Sequence, residues 1–429
     1  MNKFCSAAAS IFAVLVLVMW CVFALKIQIT GDDLTYSRAQ LGLDFIVQRW
    51  QNWSSRIFID SLNVLLVSNV WLLRISLFLS LIALALGIHS LSQKQLGLRL
   101  CVILSGLFPL WILKTAGWGA TFINYFFPSV ALLWAFAILL KRELKGAYVF
   151  SESVKELVPR EKTGVFTWMV YAVLLIFGSN QELCALTALL LFLMMARALR
   201  SRAAALSALA IAVILALEAN APGNHARYAS ELAHWLPEMA DWPLWYKLGL
   251  GYVRSVSYHL LGTEIYFALL VSAALYLKFK NLRAALAGFL AVAVLQLVLV
   301  HGFVLKMQCA VPLSRNDAWT VCNTAGLAVA LSAVPLVLWC ILSAKSLLAD
   351  RVLYAMLFLL AIAVPVAVAL SPTVFVSSYR VFTPALFVLG ALSMWIFLRC
   401  RVSSNFLCLI LVLAFLFEAR PLFRLLHRM

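Results

Sequence analysis

Apolar residues run along this chain in long unbroken stretches, not at the alternating or three-to-four spacing of a water-soluble fold. The first stretch extends from Ser6 to about Ile29. Others lie near 62 to 90, 98 to 113, 125 to 140, 163 to 178, 183 to 196, 203 to 217, 264 to 277, 284 to 304, 324 to 342, 352 to 370, 385 to 398 and 406 to 418. A helix needs roughly 20 apolar residues to cross about 30 Å of hydrocarbon. The pattern therefore predicts an all-α, polytopic transmembrane bundle of about thirteen spans, with 1–429 forming one transmembrane domain. The first run follows a basic start at Lys3 but exceeds a signal-peptide core. Met19 and Trp20 before Cys21 do not suit a small-residue cleavage site, so it reads as an uncleaved anchor.

Composition strengthens that reading. At 65% hydrophobic and 12% charged residues, the chain lacks the polar surface that a soluble protein of this length must show to water. The net charge of +17 would point to nucleic acid in a soluble protein, but its distribution has a simpler cause. With the N-terminus in the cytoplasm, the cytoplasmic connections hold more than half of the 34 basic residues, among them Lys141, Arg142, Arg197, Arg200, Arg202, Lys278, Lys280, Arg283, Arg399 and Arg401. Their acidic residues are Glu143, Glu152, Glu156, Glu161 and Asp350. That bias is the positive-inside pattern and supports this orientation, with membrane lipids and no nucleic acid as the expected partners. An odd number of spans leaves Arg420, Arg424 and Arg428 outside, against the rule.

The predicted extracytoplasmic connections carry the polar chemistry: 30 to 61, 114 to 124, 218 to 263, 305 to 323 and 371 to 384. The first contains Thr30-Gly-Asp-Asp-Leu-Thr-Tyr36, a carboxylate pair at the membrane boundary. Asp32 or Asp33 can act as a helix N-cap, or one can take a proton from a hydroxyl while its neighbour tunes its charge. In Arg49-Trp-Gln-Asn-Trp-Ser-Ser-Arg56, Trp53 offers a face for a sugar and Arg56 a cation for phosphate. An interfacial aromatic belt explains the same residues. Arg74, inside a long apolar run, is expected to face a polar cavity or mark a broken segment.

Asn124 and Tyr125 end the second connection. Glu182, in the short turn Gly178-Ser-Asn-Gln-Glu182, has apolar surroundings and needs a partner. Pro222-Gly223-Asn224 can place Arg227 beside an anion, and 218 to 263 reads as a large loop with helices lying in the interface, marked by Trp235, Trp242, Trp245 and Tyr246. Arg380, in Ser378-Tyr-Arg-Val-Phe-Thr-Pro384, is a further phosphate candidate or a structural ion-pair partner. Cys309 and Cys322 share one predicted external loop, where an oxidising compartment permits a disulfide if their backbones approach.

Several signatures are missing. There is no Gly-rich Lys-Ser/Thr phosphate loop, no Cys-x-x-Cys, no His-Glu-x-x-His and no calcium-loop spacing. Nucleotide-driven work is disfavoured, no metal is assigned, no cofactor is called for, and a need for a divalent cation stays open.

In chain order, the Gly-Asp-Asp after the first span, Trp50 through Arg56, Asn124-Tyr125, Asn180-Gln-Glu182, Ala221-Pro-Gly-Asn224 with Arg227, and Tyr379-Arg380 resemble a bacterial group of polytopic GT-C-type glycosyltransferases. That group is similar to the O-antigen glucosyltransferases that act on lipopolysaccharide in serotype conversion. The resemblance implies that the acidic pair, Asp32 and Asp33, is catalytic and that the donor is a polyprenyl-phosphate sugar. Arg56, Arg227 and Arg380 are phosphate candidates on charge alone, and Asn124, Tyr125, Trp53, Glu182 and Asn224 complete the expected site. The expected reaction transfers a hexose to a lipid-linked or cell-surface glycan acceptor on the extracytoplasmic side. Two rivals share the same features: a transporter or flippase of an anionic glycolipid, and a glycan polymerase or ligase.

Overall fold

The computed structural model describes residues 3–92, 95–144, 164–261, 265–299, 332–373 and 377–428. Among the described residues every regular element is a helix. Seven helices are long and apolar enough to cross a bilayer: Cys5–Lys26, Val70–Leu91, Trp118–Glu143, Glu182–Leu199, Arg202–Ala219, Leu348–Leu370 and Tyr379–Arg399. Shorter apolar helices include Ile57–Val67, Val165–Ser179, Tyr266–Phe279 and Ser404–Glu418. Their outward faces are as apolar as their packed faces: Val14, Leu15 and Val18 on the first helix, and Leu206, Leu209 and Val213 on Arg202–Ala219, are all exposed. A helix apolar all round requires an apolar surrounding, which here is lipid.

Two expected spans have a different form. The run from 62 to 90 is two helices, Ile57–Val67 and Val70–Leu91, because Asn69 turns extended and its side chain caps the second by accepting the Trp71 N–H at 2.9 Å. Apolar residues on both sides hide the break from hydropathy. The run from 98 to 113 is a nine-residue helix, Leu98–Gly106, and a 3-10 turn, Leu110–Lys114. At 1.5 Å per residue that helix is about 14 Å long, half of what a span needs. Arg74 lies just after the break at Asn69, in the first turns of Val70–Leu91, so the broken segment is the one of its two expected settings that the structure shows. Arg74 donates from Nε and Nη2 to the Ile27 carbonyl at 3.2 and 2.9 Å and lies over the Trp71 ring, so it satisfies a carbonyl left bare where the first helix ends. Cys309 and Cys322 lie outside the described residues.

The chain divides into two compact units. The first comprises Ala13–Ser105 and Leu110–Pro237. Its best-defined core lies among Phe127–Leu144, Val165–Ser179, Glu182–Leu199 and Arg202–Ala219, where Leu132, Leu139, Tyr171, Leu175, Phe192, Met195 and Ile211 are buried together. Polar contacts fix the helix ends: Gln181 accepts from Cys184 N–H and Ser201 from Ala204 N–H, each an N-cap, while the Tyr171 hydroxyl bonds Ser207 across the helices. The helix from Trp118 is interrupted by one π-helical turn, Phe122–Phe126, which carries Asn124 and Tyr125. Such turns insert one extra residue and recur at functional sites.

The second unit comprises Met1–Phe12, Gly106–Pro109 and Glu238–Arg428. It is built on Tyr266–Phe279, Leu282–Leu299, Leu348–Val366, Thr383–Arg399 and Ser404–Arg428, around Phe358, Leu386, Leu389 and Phe397. The expected loop from 218 to 263 is largely helical: Pro222–Trp235 belongs to the first unit, and the turn Pro237–Asp241 leads to Leu244–Leu261 in the second. Leu244 and Trp245, at the start of Leu244–Leu261, are exposed.

Candidate functional site

The acidic loop after the first helix is anchored by one of its two carboxylates. Gly31 takes φ +57°, and a Cβ there would lie 2.3 Å from the Ala116 carbonyl oxygen, so the loop can approach 116–117 only with glycine. Asp32 then donates its N–H to that same carbonyl at 2.7 Å. Asp33 is fully buried, with Oδ1 accepting from Ala120 N–H at 2.7 Å and Oδ2 from Gly119 and Thr30 N–H at 3.1 and 3.4 Å. It satisfies bare N–H groups at the start of the Trp118 helix. Burial raises its pKa above the ordinary aspartate value, opposed by these same backbone donors. Asp32, its neighbour, is exposed and makes no side-chain cap. The pair is thus divided: Asp33 is fixed, and Asp32 faces out.

A second layer ties this loop to the helix that follows. Asp60 is 2% exposed inside the apolar helix Ile57–Val67, a costly place for a charge without partners. It accepts the Tyr36 hydroxyl at 2.8 Å and pairs with Arg49 Nε at 2.9 Å, while Arg49 Nη2 donates to the Tyr36 oxygen at 3.0 Å. Burial, then the Asp60 carboxylate, pushes the Tyr36 phenol far above its usual range, so it remains a donor at all working pH. Sequence reasoning missed this trio. A lone aspartate inside an apolar run was the available signal.

Arg56, the residue before the same helix, reaches Glu182 through Nε at 2.8 Å and Nη2 at 2.6 Å, and donates from Nη1 to Asn124 Oδ1 at 3.4 Å. Burial favours loss of the guanidinium proton, but Glu182 beside it holds that proton well above the ordinary range. Asn124 in turn donates to the Ala120 carbonyl at 2.6 Å. A continuous polar chain therefore runs from Asp33 through Ala120, Asn124 and Arg56 to Glu182. Arg227 comes within 4.0 Å of Glu182 Oε1, whereas Arg56 is paired with Oε2. Two guanidinium groups converge on one carboxylate, and one of them has donors to spare.

No known protein family, curated protein or solved structure matches the chain. The site must be read from its own geometry.

Two asparagines close the arrangement. Asn180 accepts from Phe58 and Ile59 N–H at 3.1 and 3.2 Å, capping the helix behind Arg56, and donates to Glu218 Oε1 at 3.1 Å. Asn224 accepts from Ser55 N–H at 3.3 Å and donates to Ser55 Oγ and the Glu218 carbonyl at 2.9 and 2.7 Å. Glu218, 3% exposed, was not among the expected site residues, although it sits at the end of an apolar run. Of the aromatic candidates, Trp53 is 41% exposed and presents an open face, whereas Tyr125 is 8% exposed and packs within the π turn. Asp32, Asp33, Trp53, Arg56, Asn124, Tyr125, Glu182, Asn224 and Arg227 all belong to the first unit. Arg380 belongs to the second, on the 3-10 turn Ser378–Phe382. Among the described residues no group of three metal-ligating side chains is placed to hold a metal ion.

Gly223 shows how tightly the loop at 49–56 is held. A Cβ there would lie 2.7 Å from the Arg49 and Trp50 carbonyl oxygens and from Ser54 N, all backbone atoms that cannot swing aside. Gly223→Ala is expected to cost about 1–3 kcal/mol, the range for overpacking a close approach, read as a lowered thermal midpoint in detergent. Gly42→Ala, where a Cβ meets nothing within 4 Å, should leave the midpoint in place. Equal midpoints for the two variants would show that this approach is not tight.

Proposed function

We propose that the protein is a membrane glycosyltransferase of GT-C type, with about thirteen spans and an extracytoplasmic site, moving a hexose from a polyprenyl-phosphate carrier to a lipid-linked or surface glycan. The observation that carries this reading is the convergence of Arg56 and Arg227 on Glu182, linked by a hydrogen-bonded chain to an acidic loop whose exposed member is Asp32. A phosphate needs donors on several oxygens, which Arg227 can supply. An attacking hydroxyl needs a base with a free lone pair. Asp33 has spent its oxygens on backbone N–H groups, so that role falls to Asp32.

In the proposed step, an acceptor hydroxyl oxygen attacks the anomeric carbon while Asp32 takes the hydroxyl proton. The bond from that carbon to the phosphate oxygen breaks, and the electron pair leaves with the phosphate, whose growing charge the arginines stabilise. Direct displacement inverts the anomeric centre. Trp53, with its open indole face, is the residue available to stack on a sugar.

The test uses the full chain in vesicles with a radiolabelled polyprenyl-phosphate hexose and a lipid-linked oligosaccharide. A product one sugar longer is expected, with no transfer of lipid between leaflets. Asp32→Asn should lower turnover about 10²–10⁴-fold, the usual worth of a general base, without moving the thermal midpoint. Leaflet transfer without product would mean a transporter, addition of whole repeat units a polymerase, and full turnover by the Asp32 variant a different base.

A further inference from the structure

In the second unit, three short connections meet at one end of the helices. Residues 280–281 join Tyr266–Phe279 to Leu282–Leu299, residues 343–347 precede Leu348–Val366, and residues 400–403 join Thr383–Arg399 to Ser404–Arg428. Side chains stitch them together. Lys278 Nζ donates to the Ser343 carbonyl at 2.9 Å, joining the first to the second. Arg399 pairs with Asp350 at 3.2 Å, joining the third to the second, and Lys280 Nζ reaches Cys400 Sγ at 3.2 Å, joining the first to the third. Arg351 Nη1 donates to the Leu342 carbonyl at 2.6 Å and holds the second in place.

The charge gathered there is one-sided. Lys278, Lys280 and Arg283 come from the first connection and its flanks, Lys345 and Arg351 from the second, and Arg399 and Arg401 from the third, against Asp350 as the one carboxylate in these segments. Lys280, Arg283, Lys345 and Arg401 are exposed, and none of the four makes an ion pair with a described residue. Cations so crowded repel one another unless an anion joins them. Flanking these cations along the chain is an exposed apolar girdle of Phe279, Leu282, Trp339, Leu342, Leu347 and Leu348. Trp339 is 52% exposed, and Lys278 Nζ sits 4.8 Å from its ring centre.

A free inorganic anion would use the cations and ignore the girdle; a neutral lipid would use the girdle and leave the cations unpaired. We propose that this end of the second unit binds an anionic phospholipid, with its phosphate among Lys280, Arg283 and Arg401 and its acyl chains along Trp339, Phe279 and Leu347. Diphosphatidylglycerol serves as the probe. Basic sites at helix ends recognise such headgroups by charge and by phosphate oxygens. This reading does not depend on the proposed sugar transfer.

The backbone indicates how to test it. Lys280 and Arg401 adopt φ +52° and +51°, and Arg200, on a connection of the first unit, adopts φ +50°. Asparagine tolerates that left-handed conformation better than most residues, so charge can be removed there without added strain. The test variant is Lys280→Asn with Arg283→Gln and Arg401→Asn. The control, Arg197→Gln with Arg200→Asn and Arg202→Gln, removes equal charge elsewhere. Native mass spectrometry of the full chain in detergent, titrated with diphosphatidylglycerol, phosphatidylcholine or pyrophosphate, reads the occupancy. Saturable binding of one diphosphatidylglycerol to wild type and control, weakened on the order of tenfold or more in the test variant, is expected. Unchanged binding by the test variant, equal loss in the control, or pyrophosphate binding as tightly as the lipid each overturns the proposal. Lys280→Arg with Arg283→Lys and Arg401→Lys keeps the charge and should keep the lipid; its loss also counts against the site.

Discussion

Arg56→Ala is expected to lower stability by about 3 kcal/mol and to abolish the proposed sugar transfer. Removing one partner of a buried ion pair leaves the other charged and poorly solvated, at a cost of roughly 3–5 kcal/mol. Glu182 keeps some solvent contact, with 28% of its side chain exposed, which places the loss near the lower end. Arg56 also donates to Asn124, so the variant frees that amide too. The double variant Arg56→Met with Glu182→Leu removes both charges and fills similar volume. It should regain most of the stability, because a buried pair gains little over a well-packed apolar one, yet remain inactive. Denaturation of wild type, Arg56→Met, Glu182→Leu and the double variant in detergent gives the coupling, expected at about 1–3 kcal/mol for groups in direct contact. A coupling near zero would mean that the two residues do not act together, and an active double variant would remove Arg56 and Glu182 from the proposed site.

Asp33→Ala is expected to be as damaging through a different cause. It strands three backbone N–H groups, those of Thr30, Gly119 and Ala120. Each buried, unsatisfied donor costs about 1–3 kcal/mol, so a loss of about 3 kcal/mol or more follows and the loop should detach from the helix beginning at Trp118. Asp33→Asn keeps one acceptor oxygen and should fall between wild type and Ala. Asp32→Asn, at an exposed position with no side-chain cap, should match wild type in the same melting experiment. Indistinguishable melting of the Asp32 and Asp33 variants would contradict the division of labour drawn for this pair.

The sequence made the all-helical class and the apolar segments legible because both depend on composition summed over some twenty residues, a signal that single exceptions cannot erase. Through Arg74 it offered a broken segment as one alternative, but not the place of the break at Ser68 and Asn69, where one capping asparagine decides the matter within an apolar run. Nor did it separate Asp32 from Asp33. Adjacent residues share every local property, and only Gly119 and Ala120, more than eighty positions away, determine which of them is consumed as a cap. Glu182 was recognisable because a carboxylate at the start of an apolar helix must find a cation, and Arg56 and Arg227 are the cations that reach it. The same logic applied to Asp60 would have called for a partner such as Arg49. Arg74 is the counter-case: a lone cation in an apolar run proved to serve a bare carbonyl at a helix end.

The wide turn at Phe122–Phe126 sets the angular phase of everything upstream of it on that helix. A regular helix advances about 100° per residue, so shortening this segment by a single position would swing the Trp118–Thr121 turn around the axis by that angle and carry Gly119 and Ala120 off the carboxylate they now meet. Length here is a matter of rotation more than of reach, and the acidic loop keeps its bearing because the count of residues between Ala120 and Phe127 is one more than a uniform coil would require.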